Sequence, residues 1–200
     1  MDYPSKFMIE QLKNPYLIAL ISVLATLCLV VQLTPRPPNV EFTSLFTFTM
    51  GFMFGSLTGV LFGGFIMFVN GFFSPWGLAG LNMPFQMLGM GIVGLAGGLY
   101  RRHLWNYNSA KFCAKSSVLG AFLTVIYDFI TNVGVAMPLI LCGMNPTWAI
   151  ITTVAWGAPF SLIHTYSNIA VFGVAFFPLV KALNHFGGEK LWLKREQSHL

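Results

Sequence analysis

The sequence predicts an all-α integral membrane protein, a bundle of six short transmembrane helices with both termini in the cytoplasm. Of its 200 residues, 56% are hydrophobic and only 8% are charged, whereas a soluble domain carries roughly 25% charged residues. The apolar residues are gathered in runs long enough to cross a bilayer, and prolines and glycines separate these runs. This composition excludes a soluble enzyme, a nucleic-acid-binding module and a disordered linker. We expect residues 1–200 to form a single transmembrane domain.

The first predicted span covers residues 16–33, which contain no charged side chain. As a helix it would be about 27 Å long, close to the roughly 30 Å of a hydrocarbon core. Three prolines follow at Pro35, Pro37 and Pro38. They end the helix, because proline has no amide donor and its ring clashes with the preceding turn.

The second and third spans come from one long apolar run, residues 42–73. A single helix of that length would measure about 48 Å and would overshoot the hydrocarbon core by more than half. We therefore predict two short, tilted spans, 42–54 and 57–73. The turn between them is expected near Gly55 and Ser56.

The remaining three spans are separated by loops rich in proline and glycine. Residues 85–100 form the fourth span, and 116–137 form the fifth, which Pro138 closes. Residues 148–157 are apolar but too short to cross, so we interpret them as an interfacial or partly re-entrant segment. That segment leads into the sixth span, 160–180.

The orientation follows from the positions of the 11 lysines and arginines. With six spans and a cytoplasmic N-terminus, ten of the 11 lie on the cytoplasmic side and only Arg36 faces out, as the positive-inside rule requires. Five spans with an external N-terminus would divide the same cations nine to two. Helix length therefore decides the number of spans. Both arrangements place the loop after Tyr100 and the C-terminal tail in the cytoplasm.

Apart from serine and threonine, nearly every polar side chain within the spans lies in the outer half of the membrane. An intramembrane ionisable or amide group is costly and marks a functional site by default. The inner halves hold mainly Leu, Val, Phe, Met and Gly, which predicts a pocket open to the outside and closed below, rather than an ion path. The predicted substrate-binding residues are Asp128, Asn132, His164, Asn168, Gln86, Asn70 and, above them in a loop, Trp76.

Simpler interpretations of these residues remain open. Asp128 and His164 can form a purely structural pair, and Asn132 and Asn168 can merely join helices by hydrogen bonds. The tryptophans fit an interfacial belt as well as a lid. Glu41 is interpreted as a solvated carboxylate at the outer surface. No metal site and no cofactor are predicted, because the three cysteines are scattered without a ligand spacing.

Small residues recur at intervals that permit close helix packing. Gly51, Gly55, Gly59 and Gly63 are spaced by four residues, and Gly94 and Gly98 repeat that spacing. Such rows let helix backbones approach closely, either within the chain or against a partner subunit. In the first span, a narrower stripe of small residues is a candidate partner interface, formed by Ala19, Ser22 and Thr26.

Three segments resemble a known transporter family. Residues 127–132 (YDFITN), 159–168 (PFSLIHTYSN) and 86–94 (QMLGMGIVG) resemble the substrate-binding S components of energy-coupling factor (ECF) transporters, and the resemblance extends over about residues 16–183. It implies a multi-pass protein of the prokaryotic cytoplasmic membrane. Such a protein captures a vitamin or related micronutrient among spans four to six and docks on a transmembrane T subunit with two ABC ATPases.

The resemblance also carries two implications about substrate and docking. The 86–94 segment resembles corrinoid-binding members, which favours a corrinoid. The chain begins Met1-Asp2, unlike the Met-His start of nickel and cobalt members, which argues against a metal substrate. In the family the first span contacts the T subunit through an Ala-xxx-Ala pattern, to which the small stripe of span one corresponds loosely.

Two functions of different classes follow. In the first, the protein is a binding subunit without chemistry of its own, and partner ATPases supply the energy. In the second, it is an intramembrane enzyme in which Asp128 orients His164 as a general base. The second function lacks a nucleophile or metal to complete the site.

Overall fold

The structure, a computed structural model, describes residues 14–101 and 109–187. These residues form six α-helices and one 3-10 turn, without a strand among them, which confirms the all-α prediction. The helices are α1 (Pro15–Leu33), α2 (Thr43–Phe54), α3 (Ser56–Phe73), α4 (Met83–Tyr100), α5 (Ser109–Leu141) and α6 (Pro146–Gly187), and the 3-10 turn is Gly80–Asn82. All but α2 are long and apolar enough to cross a membrane.

A single glycine separates α2 from α3, as the length of the apolar run predicts. Gly55 has φ +102°, a conformation that glycine adopts without steric cost. Every residue of α2 is buried, although at about 18 Å the helix is shorter than a hydrocarbon core. This short helix is therefore enclosed by its neighbours.

The prediction of a separate segment at 148–157 is wrong. Those residues belong to α6, which continues without a break through Pro159 and Pro178. Likewise α5 does not stop at Pro138 but runs on to Leu141. Membrane helices tolerate internal prolines because neighbouring helices and local adjustments satisfy the freed backbone groups. At 42 residues, α6 is about 63 Å long, roughly twice the hydrocarbon core.

Contact between α5 and α6 explains why both helices extend past their prolines. The Thr153 hydroxyl donates to the carbonyl of Asn132 at 3.0 Å, so the upper part of α6 is bonded to α5. The turn between the helices uses Gly143 at φ +95°, and the Asn145 side chain accepts the amide of Thr147 at 3.0 Å. Such a cap satisfies a helix N-terminus that would otherwise lack partners.

The glycine rows bring α2, α3 and α4 into backbone contact. A Cβ added at Gly59 would lie 2.6 Å from both the Cα of Gly51 and the carbonyl oxygen of Gly94. A Cβ at Gly94 would collide with the backbone of Gly59. The rows therefore pack within this chain, which decides between the two interpretations left open by the sequence.

Aromatic side chains fill the core between α2, α5 and α6. Phe48, Phe172 and Phe176 have no solvent exposure. The Phe176 ring lies 5.2 Å from the rings of both Phe48 and Phe112, distances typical of favourable aromatic contacts. This dry cluster forms the part of the bundle below the polar side chains described next.

Helix α1 is mostly uncovered by the rest of the described chain, since only four of its 19 residues are buried, Leu17, Leu24, Cys28 and Gln32. Ala19, Ser22 and Thr26 are all exposed on it. Several cations that predict the orientation lie outside the described residues, so the cytoplasmic placement of both termini stays a prediction. They are Lys6, Lys13, Arg102, Lys190, Lys194 and Arg195.

Candidate functional site

A buried cluster of three ionisable side chains joins α5, α6 and the loop before α2. The two ring nitrogens of His164 face one carboxylate each. Nδ1 lies 2.7 Å from Oδ1 of Asp128, and Nε2 lies 3.2 Å from Oε1 of Glu41. The side chains of His164, Glu41 and Asp128 are 5%, 9% and 13% exposed. The sequence predicted Asp128 and His164 as site residues, and the structure adds Glu41.

Glu41 is not the solvated surface carboxylate that the sequence suggested. Its Oε2 accepts the backbone amide of Thr43 at 2.8 Å, and its Oε1 accepts the hydroxyl of Ser44. The carboxylate therefore caps the N-terminus of α2, where the helix dipole favours negative charge. The signal in the sequence was an acidic residue immediately before the apolar run 42–73, in which Thr43 and Ser44 begin the helix.

The same contacts determine the charge of Glu41. Burial by itself raises the pKa of this carboxyl group. The hydrogen bond and charge of His164, together with the bonds from Ser44 and Thr43, outweigh burial and hold the pKa well below its ordinary value. Glu41 is therefore ionised at neutral pH.

The geometry around His164 is that of an imidazolium between two carboxylates. An imidazole ring donates from both nitrogens only when it is protonated, and an ionised carboxylate only accepts. One carboxylate oxygen of the cluster, Oδ2 of Asp128, is buried without a hydrogen-bond partner. With both carboxylates ionised, the cluster would carry one net negative charge and one unused acceptor.

A second polar pair lies one helical turn deeper. The Thr124 hydroxyl donates to the carbonyl of Gly120 at 2.7 Å. Its oxygen must then accept from Nδ2 of Asn168, which is 2.8 Å away. This fixes the orientation of the amide and leaves Oδ1 of Asn168 buried without a partner. Two unpartnered acceptors thus belong to the same pair of helices.

A cavity of about 340 Å³ opens beside the cluster. Two loops and the helices α5 and α6 form its walls, and Asp128 is common to the cavity and the cluster. We call the end of the bundle at which these loops lie the polar end. The lining residues are Pro38, Asn39, Trp76, Asp128, Thr131, Asn132, Gly157, Phe160 and Ser161.

The structure brings some of the predicted site residues together and leaves others apart. Trp76, Asp128 and Asn132 line the cavity. His164 does not line it and belongs to the buried cluster. Asn168 does not line it either and is bonded to Thr124. Asn70 does not line the cavity. Its Oδ1 accepts from Nε2 of Gln32 at 3.2 Å, a contact that ties α3 to α1.

Gln86 also stands away from the cavity lining, and its Oε1 is buried without a partner. Gly157 was missed as a wall residue, because the residues before Pro159 were interpreted from the sequence as a separate segment. Phe160 and Ser161 were not included among the predicted substrate-binding residues, although both lie in the predicted sixth span. Asn39 was missed as well. Its positive φ of 61° belongs to a turn that the composition of the loop does not specify.

The chain matches the family described as "ECF-type riboflavin transporter, S component" over residues 14–185. No curated protein and no solved structure matches the chain.

Proposed function

The chain belongs to the family of S components of ECF-type riboflavin transporters, and we propose that it captures riboflavin or a close flavin relative in the cavity at its polar end. It is a substrate-binding subunit of a membrane transporter and not an enzyme. The flavin, the cavity as its site and the roles of individual residues are the parts that we propose.

The observation that carries this proposal is the buried cluster of Glu41, His164 and Asp128 beside an open cavity. Charges held inside a membrane protein are expensive, and they usually mark the path or the site of a substrate. His164 is bonded to both carboxylates, whereas the second carboxylate oxygen of Asp128, Oδ2, has no partner. A bound ligand with a donor group would supply the missing hydrogen bond, and a buried acceptor left without one is costly.

The chemistry of the site suits a ligand that is flat and rich in donors. Asp128 lines the cavity and carries an unpartnered acceptor oxygen, so the site favours a ligand with N–H or O–H groups. A flavin has an imide N–H and a chain of hydroxyl groups. Trp76 and Phe160 in the lining offer apolar rings on which a planar ring system can stack.

The volume favours a flavin over a corrinoid. At about 340 Å³, the cavity lies near the lower limit of the roughly 300–1,000 Å³ of drug-sized ligand sites. A corrinoid, with its macrocycle and nucleotide arm, is much larger than a drug-sized molecule. The corrinoid suggested by the 86–94 segment is therefore the second candidate, and it serves as a competitor in the test.

Import requires partners, because the described chain offers a site but no source of energy. We propose that a T subunit and two ABC ATPases complete the transporter, because membership in the S-component family implies such partners in general. The exposed small residues Ala19, Ser22 and Thr26 on α1 are the proposed contact with the T subunit. Small side chains let a partner helix approach closely.

The test is a titration of the purified full-length protein with riboflavin, followed by flavin fluorescence, with a corrinoid as competitor. We expect binding of one flavin, and recovery of the ligand unchanged by mass spectrometry. Asp128→Ala should weaken binding about tenfold or more, because a hydrogen bond to a charged group contributes about 1.5–3 kcal/mol. Lys181→Ala changes an exposed cation far from the cavity and should leave binding unchanged.

Three results would overturn the proposal. If riboflavin does not bind while the corrinoid does, the ligand class is wrong. If Asp128→Ala binds flavin as well as the unaltered protein, the site lies elsewhere. If the recovered compound is chemically modified, the protein acts as an enzyme.

A further inference from the structure

A second, apolar groove lies at the end of the bundle opposite the polar end. It is a shallow, open groove of about 900 Å³ between Tyr100 of α4 and one face of α5. The α5 residues are Ala114, Lys115, Val118, Leu119 and Phe122. Val118 and Phe122 are 72% and 62% exposed, so this face of the helix is not covered by the described part of the chain.

Two lysines stand where this groove reaches the end of α5. Lys111 and Lys115 are both exposed, and their spacing places them on one helix face together with Val118 and Phe122. From Lys111 to Phe122 the helix rises about 16 Å, close to the roughly 15 Å depth of one membrane leaflet. The face thus combines an apolar stripe one leaflet deep with two positive charges at its rim.

The neighbouring arginine belongs to a different part of the structure. Arg101 is 8% exposed, and its Nη1 donates to the carbonyl of Met53 at 2.9 Å. That bond serves the C-terminal end of α2. Lys111 and Lys115 are the exposed cations on this face of α5.

We propose that this groove binds one phospholipid with an anionic headgroup. An acyl chain lies along Val118 and Phe122, and the phosphate is held at Lys111 and Lys115. Hydrocarbon tails alone give little preference among lipids, because all of them are apolar. The selectivity comes from the two lysines, since each basic residue near an anionic headgroup strengthens binding by about 1 kcal/mol, or about fivefold.

The test compares lipids retained by the purified full-length protein. The protein is exchanged into an equal mixture of phosphatidylglycerol and phosphatidylcholine, and bound lipids are counted by native mass spectrometry. We expect phosphatidylglycerol to be retained preferentially. The double variant Lys111→Ala/Lys115→Ala should lower that preference by about twenty-fivefold. The control Lys181→Ala, an exposed cation on α6, should not change it.

A second variant tests the groove without altering its charge. Ala114→Trp fills the groove but keeps both lysines, and we expect it to retain less phosphatidylglycerol than the unaltered protein. Circular dichroism of each variant verifies that the helices are formed. Equal retention of the two lipids by the unaltered protein, or an unchanged preference in the double variant, would overturn the proposal.

A docking protein is the competing occupant. If the double variant retains phosphatidylglycerol normally but no longer assembles with the T subunit, the groove is a protein interface and the lipid proposal is wrong. The groove is remote from the cavity, so a flavin titration of the same samples tests the proposed function separately.

Discussion

At the scale of single residues, the most consequential feature is that His164 is bonded to two carboxylates from different elements. Asp128 reaches it from α5, and Glu41 reaches it from the loop before α2. One ring therefore connects the helix pair α5–α6 to the start of α2. Loss of His164 would leave two buried carboxylates without a compensating charge, whereas loss of one carboxylate would leave one ring nitrogen of His164 without its acceptor.

The first prediction concerns Glu41→Gln. The substitution keeps the size of the side chain but removes the charge that faces His164. We expect the free energy of unfolding to fall by about 2 kcal/mol, the contribution of a hydrogen bond to a charged group, because Asp128 still compensates the charge of His164. The measurement is thermal unfolding of the purified protein in detergent, followed by circular dichroism.

A double-mutant cycle separates this pair from its surroundings. If Glu41 and His164 interact directly, the effects of Glu41→Gln and His164→Gln should not add, and the coupling should lie at about 0.5–3 kcal/mol. Strictly additive losses would show that the two side chains act independently and would contradict the geometry of the cluster.

At the scale of elements, the contact of α2, α3 and α4 depends on the absence of side chains. Gly51, Gly59 and Gly94 meet backbone to backbone, which places α2 in the centre of the bundle. Because the loop that carries Glu41 ends at α2, this packing also sets the position of the carboxylate beside His164.

The second prediction compares two glycine substitutions. Gly94→Ala places a Cβ against the backbone of Gly59, which cannot move aside as a flexible side chain would. We expect it to lower the unfolding temperature clearly, and Gly59→Leu to prevent folding or assembly. The matched control is Gly64→Ala, since no atom lies within 4 Å of a Cβ at that position.

The control should be neutral or slightly stabilising, because alanine favours a helix over glycine by about 1 kcal/mol. If the Gly94→Ala and Gly64→Ala proteins unfold at the same temperature, the backbones of α3 and α4 do not approach each other as closely as described. A Gly59→Leu protein that assembled and transported normally would contradict it as well.

The third prediction concerns the small face of α1. Ala19→Trp adds a large side chain to an exposed position without touching the cavity. We expect riboflavin binding by the isolated protein to be unchanged, while co-purification with the T subunit and uptake are lost. Ile18→Trp alters an exposed neighbour on another side of the helix and serves as the control. Normal assembly of Ala19→Trp would remove this face from the proposed interface.

At the scale of the whole molecule, the native cysteines can be used to test the orientation of the chain in the membrane. Cys142 is exposed in the turn between α5 and α6, whereas Cys28 is buried. Cys113 lies near the other end of α5. The charge distribution predicts that the turn lies outside the cell and that the start of α5 lies inside.

The fourth prediction is that a membrane-impermeant maleimide added to intact cells labels the protein at Cys142. Cys142→Ser should abolish this labelling, while Cys113→Ser should leave it unchanged. Labelling of Cys113 in intact cells, with none at Cys142, would reverse the orientation and place the cavity on the cytoplasmic side.

The sequence by itself determined the membrane class, the helices, the break at Gly55 and the family. All of these depend on composition, run length and local backbone preferences. It also singled out Asp128 and His164 as site residues, because an ionisable side chain within an apolar run is visible in one segment alone.

Only the tertiary structure decided which distant residues meet. It placed Glu41 beside His164, paired the glycine rows within the chain, and kept α5 and α6 helical through their prolines. Each of these outcomes depends on a contact between segments far apart in the chain. The free energy of such a contact is absent from local preferences, so the sequence read segment by segment could not supply it.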